Sequence, residues 1–262
     1  MAILSVNDYL AAGKEELLIT KTATRTSVAA VPFSVFDLAG QPGAGTLAGS
    51  STAAGVVPTD ATAGCPLINA FAGGAEGIVS SIDFSSSVAC TITVYDLLFK
   101  AGAYAFNANT ALAGQPSFTG RIPSDDVATE LWIEAVTAFT GTPSFAISYE
   151  NESAAAKATG TISAGAALTV GRMFRMPLQA GDRGVTKITN VTGSVATVGT
   201  FNVLVMRRLA RVRVPVAGFA DTYDLIRCKR KRVYADSAIV LVVAADSTST
   251  GQPDVAIQIA NK

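Results

Sequence analysis

The sequence predicts an all-β protein made of two tandem, internally duplicated, antiparallel β-sandwich units of a jelly-roll-like kind. Three observations lead to this prediction: alternating apolar residues bounded by turn signals, no sustained helical period after residue 20, and an internal repeat. Only 15% of the residues are charged, while 49% are hydrophobic. We expect such a weakly charged protein to cover part of its surface with neighbouring subunits and to form a homo-oligomer.

Short strands are indicated along most of the chain. In "SFAISY", Phe145, Ile147 and Tyr149 alternate with small or polar residues, which is the period of a half-buried strand. "TITVYDLL" (91–98) and "FNVLVM" (201–206) are rich in β-branched and aromatic residues. The apolar run at 238–245 is far shorter than the roughly 20 residues of a membrane-spanning helix, so it predicts a buried strand and no membrane association.

An internal repeat accounts for much of this pattern. "GIVSSIDFSSSVA" (77–89) aligns without a gap with "GVTKITNVTGSVA" (184–196). "WIEAVTAFTGTPSFAISYEN" (132–151) aligns with the segment at 239–261 after an insertion in a turn. Because the matches follow one another in the same order, the sequence predicts a duplicated unit.

The beginning of the chain differs from the rest. "SVNDYLAAGKEELL" predicts a short helix capped by Ser5 or Asn7 and broken at Gly13, or an arm that lies on a neighbour. The segment 39–64 is rich in small residues and too long for an ordinary turn, so we expect an extended loop or arm there. The predicted organisation is an N-terminal arm at 1–21, a first sandwich unit at 22–143 and a second at 144–262.

The residues for common catalytic chemistry are scarce. The chain has no histidine, which removes the commonest general base and metal ligand. Its three cysteines, Cys65, Cys90 and Cys228, lack the spacing of a zinc site and cannot all pair within one chain. We interpret them as ordinary small residues in a reduced protein, with an intermolecular disulfide as the alternative. No basic, apolar leader of signal-peptide type opens the sequence, so we do not expect secretion by that route.

A carboxylate pair of glycosidase type is the remaining catalytic hypothesis. Its candidates are Asp125, Asp126, Glu130 and Glu134, with Trp132 as a sugar platform. The favoured interpretation places Trp132 in the core and the acids on the solvent face. The sequence therefore predicts a protein that is not an enzyme and has no catalytic residue, metal or cofactor.

Residues 206–233 form the one marked charge feature, with a local charge of about +7. This basic segment carries Arg207, Arg208, Arg211, Arg213, Arg227, Lys229, Arg230, Lys231 and Arg232. The favoured interpretation is a subunit contact in which the basic segment of one copy meets an acidic segment of the next, including Asp125, Asp126 and Glu130. Contact with DNA is less favoured because aromatic residues for base stacking are few, and a solvated basic loop is the third interpretation.

Four segments resemble a family of tailed-bacteriophage virion structural proteins of similar length. They are "TATRTSVAAVPFSVFDLAGQPGAGTLA" (22–48), "VVPTDATAGCPLINAF" (56–71), "AGAYAFNAN" (101–109) and "TVGTFNVLVMR" (197–207). The resemblance covers most of the chain and includes no catalytic motif. It implies a non-enzymatic virion component made in the cytoplasm of a bacterial host, such as a capsid decoration or cement protein that binds the major capsid protein or other virion subunits.

Two alternatives stay open at this point. The first is a tail tube or another tail structural protein, in which tandem sheets would line a ring. The second is a carbohydrate-binding or receptor-binding module that uses Trp132 and tyrosines as sugar platforms.

Overall fold

A computed structural model describes residues 5–69, 71, 76–139, 141–163, 169–194 and 198–261. Its elements are, in chain order, α1 Val6–Ala11, β1 Gly13–Lys21, β2 Pro32–Ser34, β3 Gly40–Gln41, β4 Gly77–Ser86, β5 Cys90–Ala105, β6 Asn109–Ala111, a 3-10 helix Thr119–Arg121, β7 Glu130–Ala135, β8 Ser144–Asn151, β9 Ala156–Ala158, β10 Ile162–Ser163, β11 Met173–Met176, β12 Val185–Gly193, β13 Thr200–Val214, β14 Ala220–Tyr223, β15 Arg232–Val233, β16 Ile239–Ala245 and β17 Pro253–Asn261. The predicted all-β class is confirmed.

The strands form three antiparallel sheets. Sheet I has the order β14-β4-β17-β1-β3, with β15 also paired to β4. Sheet II has the order β11-β7-β13-β5-β16-β2. Sheet III has the order β10-β8-β12-β6, with β9 also paired to β8. Sheet II is central, because it contributes residues to the apolar cores shared with each of the other two sheets.

Sheets I and III pack on different parts of sheet II and form two sandwiches. The first core joins residues such as Ile82 of β4 to Ile92 of β5 and Val212 of β13. The second joins residues such as Ile147 of β8 to Phe201 of β13. The long strands β5 and β13 therefore pass through both sandwiches, and they pair with each other along most of their length.

The other face of sheet II is also buried, because this sheet curls until its two edge strands meet. Phe33 of β2 forms an isolated bridge with Arg172, and the Ser34 N–H donates to the Gly171 carbonyl at 2.7 Å. A third apolar cluster fills the inside of the curl. It consists of Phe36, Cys65, Tyr95, Leu97, Trp132, Met173, Leu204, Met206, Ala238, Val240 and Val242.

The N-terminal helix is present and is capped as one of the sequence alternatives states. The Ser5 hydroxyl accepts from the Asp8 N–H at 3.1 Å, and the Asp8 carboxylate accepts from the Ser5 N–H at 3.0 Å. The helix ends before Gly13, where β1 begins. Residues 13–21, predicted as part of an arm, instead pair with β17 inside sheet I, and Leu17 and Ile19 enter the first core.

The small-residue segment at 39–64 packs against its own chain. Val56 and Lys100 exchange backbone hydrogen bonds of 2.8 and 3.0 Å, and the Gly102 N–H donates to the Ser51 carbonyl at 3.0 Å. A Cβ on Gly64, whose φ is +97°, would lie 2.7 Å from the Cα of Gly45. Close backbone approach thus explains part of the glycine content.

Each of the three sheets contains strands from both sides of the predicted boundary at 143/144. Sheet II, for example, combines β2, β5 and β7 with β11, β13 and β16. Strand pairing therefore crosses this boundary throughout the molecule.

Candidate functional site

The basic segment begins in the middle of β13 and continues through the turn that joins β14 to β15. Arg208, Arg211 and Arg213 point to solvent from β13, whereas Arg207 has no exposed surface. Arg207 is therefore an interior residue of this chain, which corrects its assignment to a partner-binding surface. The sequence did not indicate that Arg207 is buried, because arginine is rarely fully buried unless it is paired.

Arg207 is buried because an interior carboxylate pairs with it. Its Nη2 lies 3.2 Å from Oδ2 of Asp96, which is also fully buried, and donates to the carbonyl of Arg232 at 2.8 Å. Nη1 of Arg121, from the 3-10 helix, lies 3.3 Å from the other oxygen of Asp96. Asp96 also accepts from the Ser237 hydroxyl at 2.9 Å. One aspartate on β5 thus holds two arginines and the turn before β16.

The acidic segment after the 3-10 helix contacts the basic segment of the same chain. Lys231 Nζ donates to Asp126 at 2.6 Å, and an Arg232 nitrogen lies 3.2 Å from Asp125. Arg207 Nη1 is 4.0 Å from the same oxygen of Asp126. The complementarity predicted between different copies is therefore formed within one chain.

Glu130 lies at the border between the curl and the surface. Its Oε1 is 3.6 Å from Arg175 and 3.7 Å from Arg208. Its Oε2 accepts from the Tyr95 hydroxyl at 2.8 Å and from the indole N–H of Trp132 at 3.1 Å. Burial, followed by the neighbouring Glu130 carboxylate, raises the pKa of Tyr95 well above its usual range. Glu130 therefore binds the core on its inner side and the surface arginines on its outer side.

Two of the remaining basic residues also have a carboxylate partner in this chain. Arg213 pairs with Asp246, and an Arg227 nitrogen lies 3.5 Å from Asp221. Arg211, Lys229 and Arg230 are exposed. At least six of the nine basic residues thus have a carboxylate of the same chain within ion-pair distance. These pairs weaken the positive potential that contact with DNA would need.

Glu130, Trp132 and Glu134 alternate along β7 and point into the curl together. Trp132 is 6% exposed, so its predicted place in the core is confirmed, and its ring is not available as a sugar platform. The expectation that the acids face solvent is wrong for these two, because Glu130 is 7% and Glu134 2% exposed. A sheet that curls onto itself buries both faces of its strands, which the sequence pattern of β7 did not reveal.

The two glutamates are poorly placed for glycoside hydrolysis. Four residues along a strand separate them by about 13 Å, whereas hydrolytic carboxylate pairs lie about 5–9.5 Å apart. Glu134 accepts from the Asn202 amide at 2.7 Å, and burial raises the pKa of Glu134 while the Lys100 ammonium lowers it. Burial likewise lowers the pKa of Lys100, whose Nζ donates to the Thr46 carbonyl at 2.8 Å. These groups are paired with other groups inside the protein.

The three cysteines are free and buried within this chain, which agrees with their interpretation as ordinary small residues. Burial raises the pKa of Cys65 to about 12 and that of Cys228 to about 11. Within the described ranges, no three His, Cys, Asp or Glu residues form a group that could hold a metal ion. No helix in the same ranges is long and apolar enough to cross a membrane.

Open cavities lie on two faces of the molecule. One of about 510 Å³ borders Glu130, Arg175 and the loop at 177–183. Another of about 370 Å³ lies on the outer face of sheet I. The second is lined by Leu18, Asp83, Phe84, Ser85, Ala220, Asp221, Thr222, Asp254 and Ala256.

Comparisons with known proteins do not assign this chain to a family. No family model matches it, and no curated protein matches it. Among solved structures, infectious bursal disease virus Gt strain aligns with a TM-score of 0.18 and 10% identity over 95% of this chain and 81% of that chain. A mutant VP2 protein of the same virus aligns with a TM-score of 0.17 and 10% identity, over 95% and 77% of the two chains. Similarity this low establishes neither a shared fold nor a shared function.

Proposed function

We propose that this protein is a non-enzymatic structural subunit of a bacteriophage virion that stabilises the head lattice as a capsid decoration or cement protein. The observation that carries the proposal is the nature of the surface: most of the basic segment is neutralised within the chain, while large apolar side chains stand exposed. Nine such side chains, including Val6, Leu67 and Ile226, are exposed among the described residues. Large apolar side chains that are exposed close together, such as Val216 and Phe219, favour contact with other proteins.

Two further observations support the proposal. The sequence segments that resemble tailed-phage virion proteins include β2, β3, the end of β5 and the first half of β13, which lie in sheets I and II. The glutamates that were candidates for hydrolysis are engaged in internal hydrogen bonds and are too far apart for that reaction. The protein thus offers well-ordered sheet surfaces for its neighbours, and the proposed partners are the major capsid protein and further virion subunits.

Electron microscopy of purified virions from the phage that encodes this chain tests the proposal. We expect density that fits the three sheets on the outside of the head, at a regular copy number between capsomers. Density in the tail would instead identify a tail tube or another tail structural protein. Virions that contain none of the chain would refute a structural role.

A deletion of the gene gives a second test with a functional readout. Heads that lack a cement protein should release DNA at a lower temperature than complete heads, and the purified protein should restore the original temperature. Heads of unchanged stability would contradict the cement role even if the protein were bound.

A further inference from the structure

Exposed apolar side chains lie in the turns on both sides of β14, an edge strand of sheet I, and on the outer face of the same sheet. Of the nine large ones among the described residues, Val216 and Phe219 lie in the turn before β14, Ile226 lies in the turn after it, and Leu18 lies on the outer face of β1. The turn before β14 is attached to β4 by the Gly218 N–H, which donates to the Ser86 carbonyl at 2.8 Å. The edge therefore presents an ordered apolar surface to solvent.

Ile226 is the most prominent of these residues, with 84% of its surface exposed. Its turn is held in one conformation: the Asp224 carboxylate accepts from the N–H groups of Ile226 and Arg227 at 3.1 and 2.9 Å. Cys228 anchors the turn in the first core. Because the conformation is fixed in advance, little entropy would be lost when Ile226 enters a partner.

The groove on the outer face of sheet I is lined in part by β14, the strand that leads into this turn. Leu18, Ala256, Asp83 and Thr222 are cross-strand neighbours on β1, β17, β4 and β14, so they form one row across the sheet. The cavity measures about 370 Å³, and the small side chains of Ala220 and Ala256 leave this space open. Together with Leu18 they make the floor of the groove partly apolar.

Charge distinguishes the groove from the turn. The groove is lined by Asp83, Asp221 and Asp254, and none of the described residues that line it is basic. The turn carries Arg227, which already pairs with Asp221 of the same chain at 3.5 Å, and Lys229, which is exposed. An apolar tip with the exposed Lys229 is therefore close to a partly apolar floor whose walls include Asp83 and Asp254. The two surfaces complement each other in both respects.

We propose that this face is an interface between two copies of the chain, in which the turn carrying Ile226 on each copy enters the groove of the other. A two-fold axis is the natural symmetry, because β14 both lines the groove and leads into the turn, so that a single rotation brings each tip to the opposite groove. The proposal deepens the proposed function, on which it rests, by naming one partner of the subunit and the surface that binds it.

Sedimentation velocity of the full-length protein tests this interface. We expect the wild-type protein to form a dimer and Ile226→Asp, which places a carboxylate against the acidic groove, to raise the dissociation constant by about 10-fold or more. Val198→Asp is the matched control, since Val198 is 80% exposed but lies next to the second core, between β12 and β13. It should leave the dimer unchanged. A monomeric wild-type protein, or equal dimerisation of all three proteins, overturns the proposal.

Charge reversal provides the second measurement. Lys229→Glu and Asp254→Lys should each weaken the dimer, and the double variant should recover much of the loss because opposite charges meet again across the axis. A double variant as weak as the two losses added together contradicts the complementarity. Circular dichroism confirms that each variant is folded.

The outcomes separate this interface from the role in the virion. A protein that is found in virions but is monomeric, and whose attachment is abolished by Ile226→Asp, would identify the groove or turn as a contact with another virion protein and overturn self-association. A dimer that is sensitive to Ile226→Asp but absent from virions would instead refute the proposed function.

Discussion

Replacement of Asp96 by Asn should destabilise the protein severely, because this one carboxylate neutralises two buried arginines. Arg207 has no exposed surface, and the side chain of Arg121 is 5% exposed. After the Asp96→Asn substitution, Arg207 would keep its bond to the Arg232 carbonyl and the contact of 4.0 Å with Asp126. Removal of one partner from a buried ion pair typically costs about 3–5 kcal/mol.

The expected loss is large enough to measure in two ways. At about 2–4 °C per kcal/mol for a chain of this size, the melting temperature should fall by roughly 6–20 °C. Urea unfolding followed by circular dichroism should give a lower midpoint with an unchanged slope. The control is Asp246→Asn, which removes the partner of Arg213 from a pair that is half exposed on both sides. We expect no resolvable loss there, because exposed ion pairs contribute little.

A second variant tests whether the loss at Asp96 reflects both arginines rather than Arg207 alone. Arg207→Met removes one of the two arginines but leaves Asp96 with Arg121 and the Ser237 hydroxyl, so it should cost less than Asp96→Asn. If Asp96→Asn is no more destabilising than Asp246→Asn, the view that Asp96 holds the interior charges together is refuted.

Three further predictions concern buried groups. Burial raises the pKa of Glu134, so the unfolded chain loses this proton at a lower pH than the folded chain does. Wild-type stability should therefore fall relative to that of Glu134→Gln as the pH rises above about 4.5. Urea unfolding at a series of pH values measures the difference in stability, and a difference that stays constant with pH would contradict the prediction. Cys65 and Cys228 should resist a thiol reagent near pH 8 in the native protein and react fully in denaturant, whereas rapid native labelling would show that they are accessible. Trp132→Ala should destabilise the fold by about 3–5 kcal/mol, measured by urea unfolding, and an unchanged stability would place this ring outside the core.

The sequence predicted the features that depend on local pattern. Alternation in the segment at 144–149 identified β8, and Ser5, one of the two predicted caps, begins α1, because caps and the period of two are properties of neighbouring residues. The strand at 13–21 was missed, since "GKEELL" does not show the alternation of apolar and polar residues that marks a half-buried strand. Only its long-range pairing with β17 distinguishes a strand from the predicted arm.

The charged site could be predicted in composition but not in arrangement. Segments of opposite charge at 125–130 and 207–232 were expected to attract each other, and they do meet. Whether they meet within a chain depends on the path of β7 and β13, which are adjacent in sheet II although far apart in sequence. The burial of Arg207 likewise depends on Asp96, a partner 111 positions away that no local pattern connects to it.

The internal duplication stays a proposal, and the strand pairing supports it. The aligned strands β4 and β12 have equivalent neighbours, since β4 pairs with β17 and β12 pairs with β8. Sheet II reads β11-β7-β13 from one edge and β2-β16-β5 from the other, and the repeat aligns β7 with β16, each of which is second from an edge. Strands that the repeat relates therefore occupy related positions.

The shared strands β5 and β13 make the two halves of this chain inseparable. A fragment that ends near residue 143 would keep β5 but lose β13 and β16, which pair with it on its two sides. Each half expressed alone would expose open strand edges and aggregate, whereas the two halves expressed together could reassemble. Unfolding of the whole chain should accordingly be a single cooperative event despite its two cores, so that force applied to one sandwich is carried directly into the other.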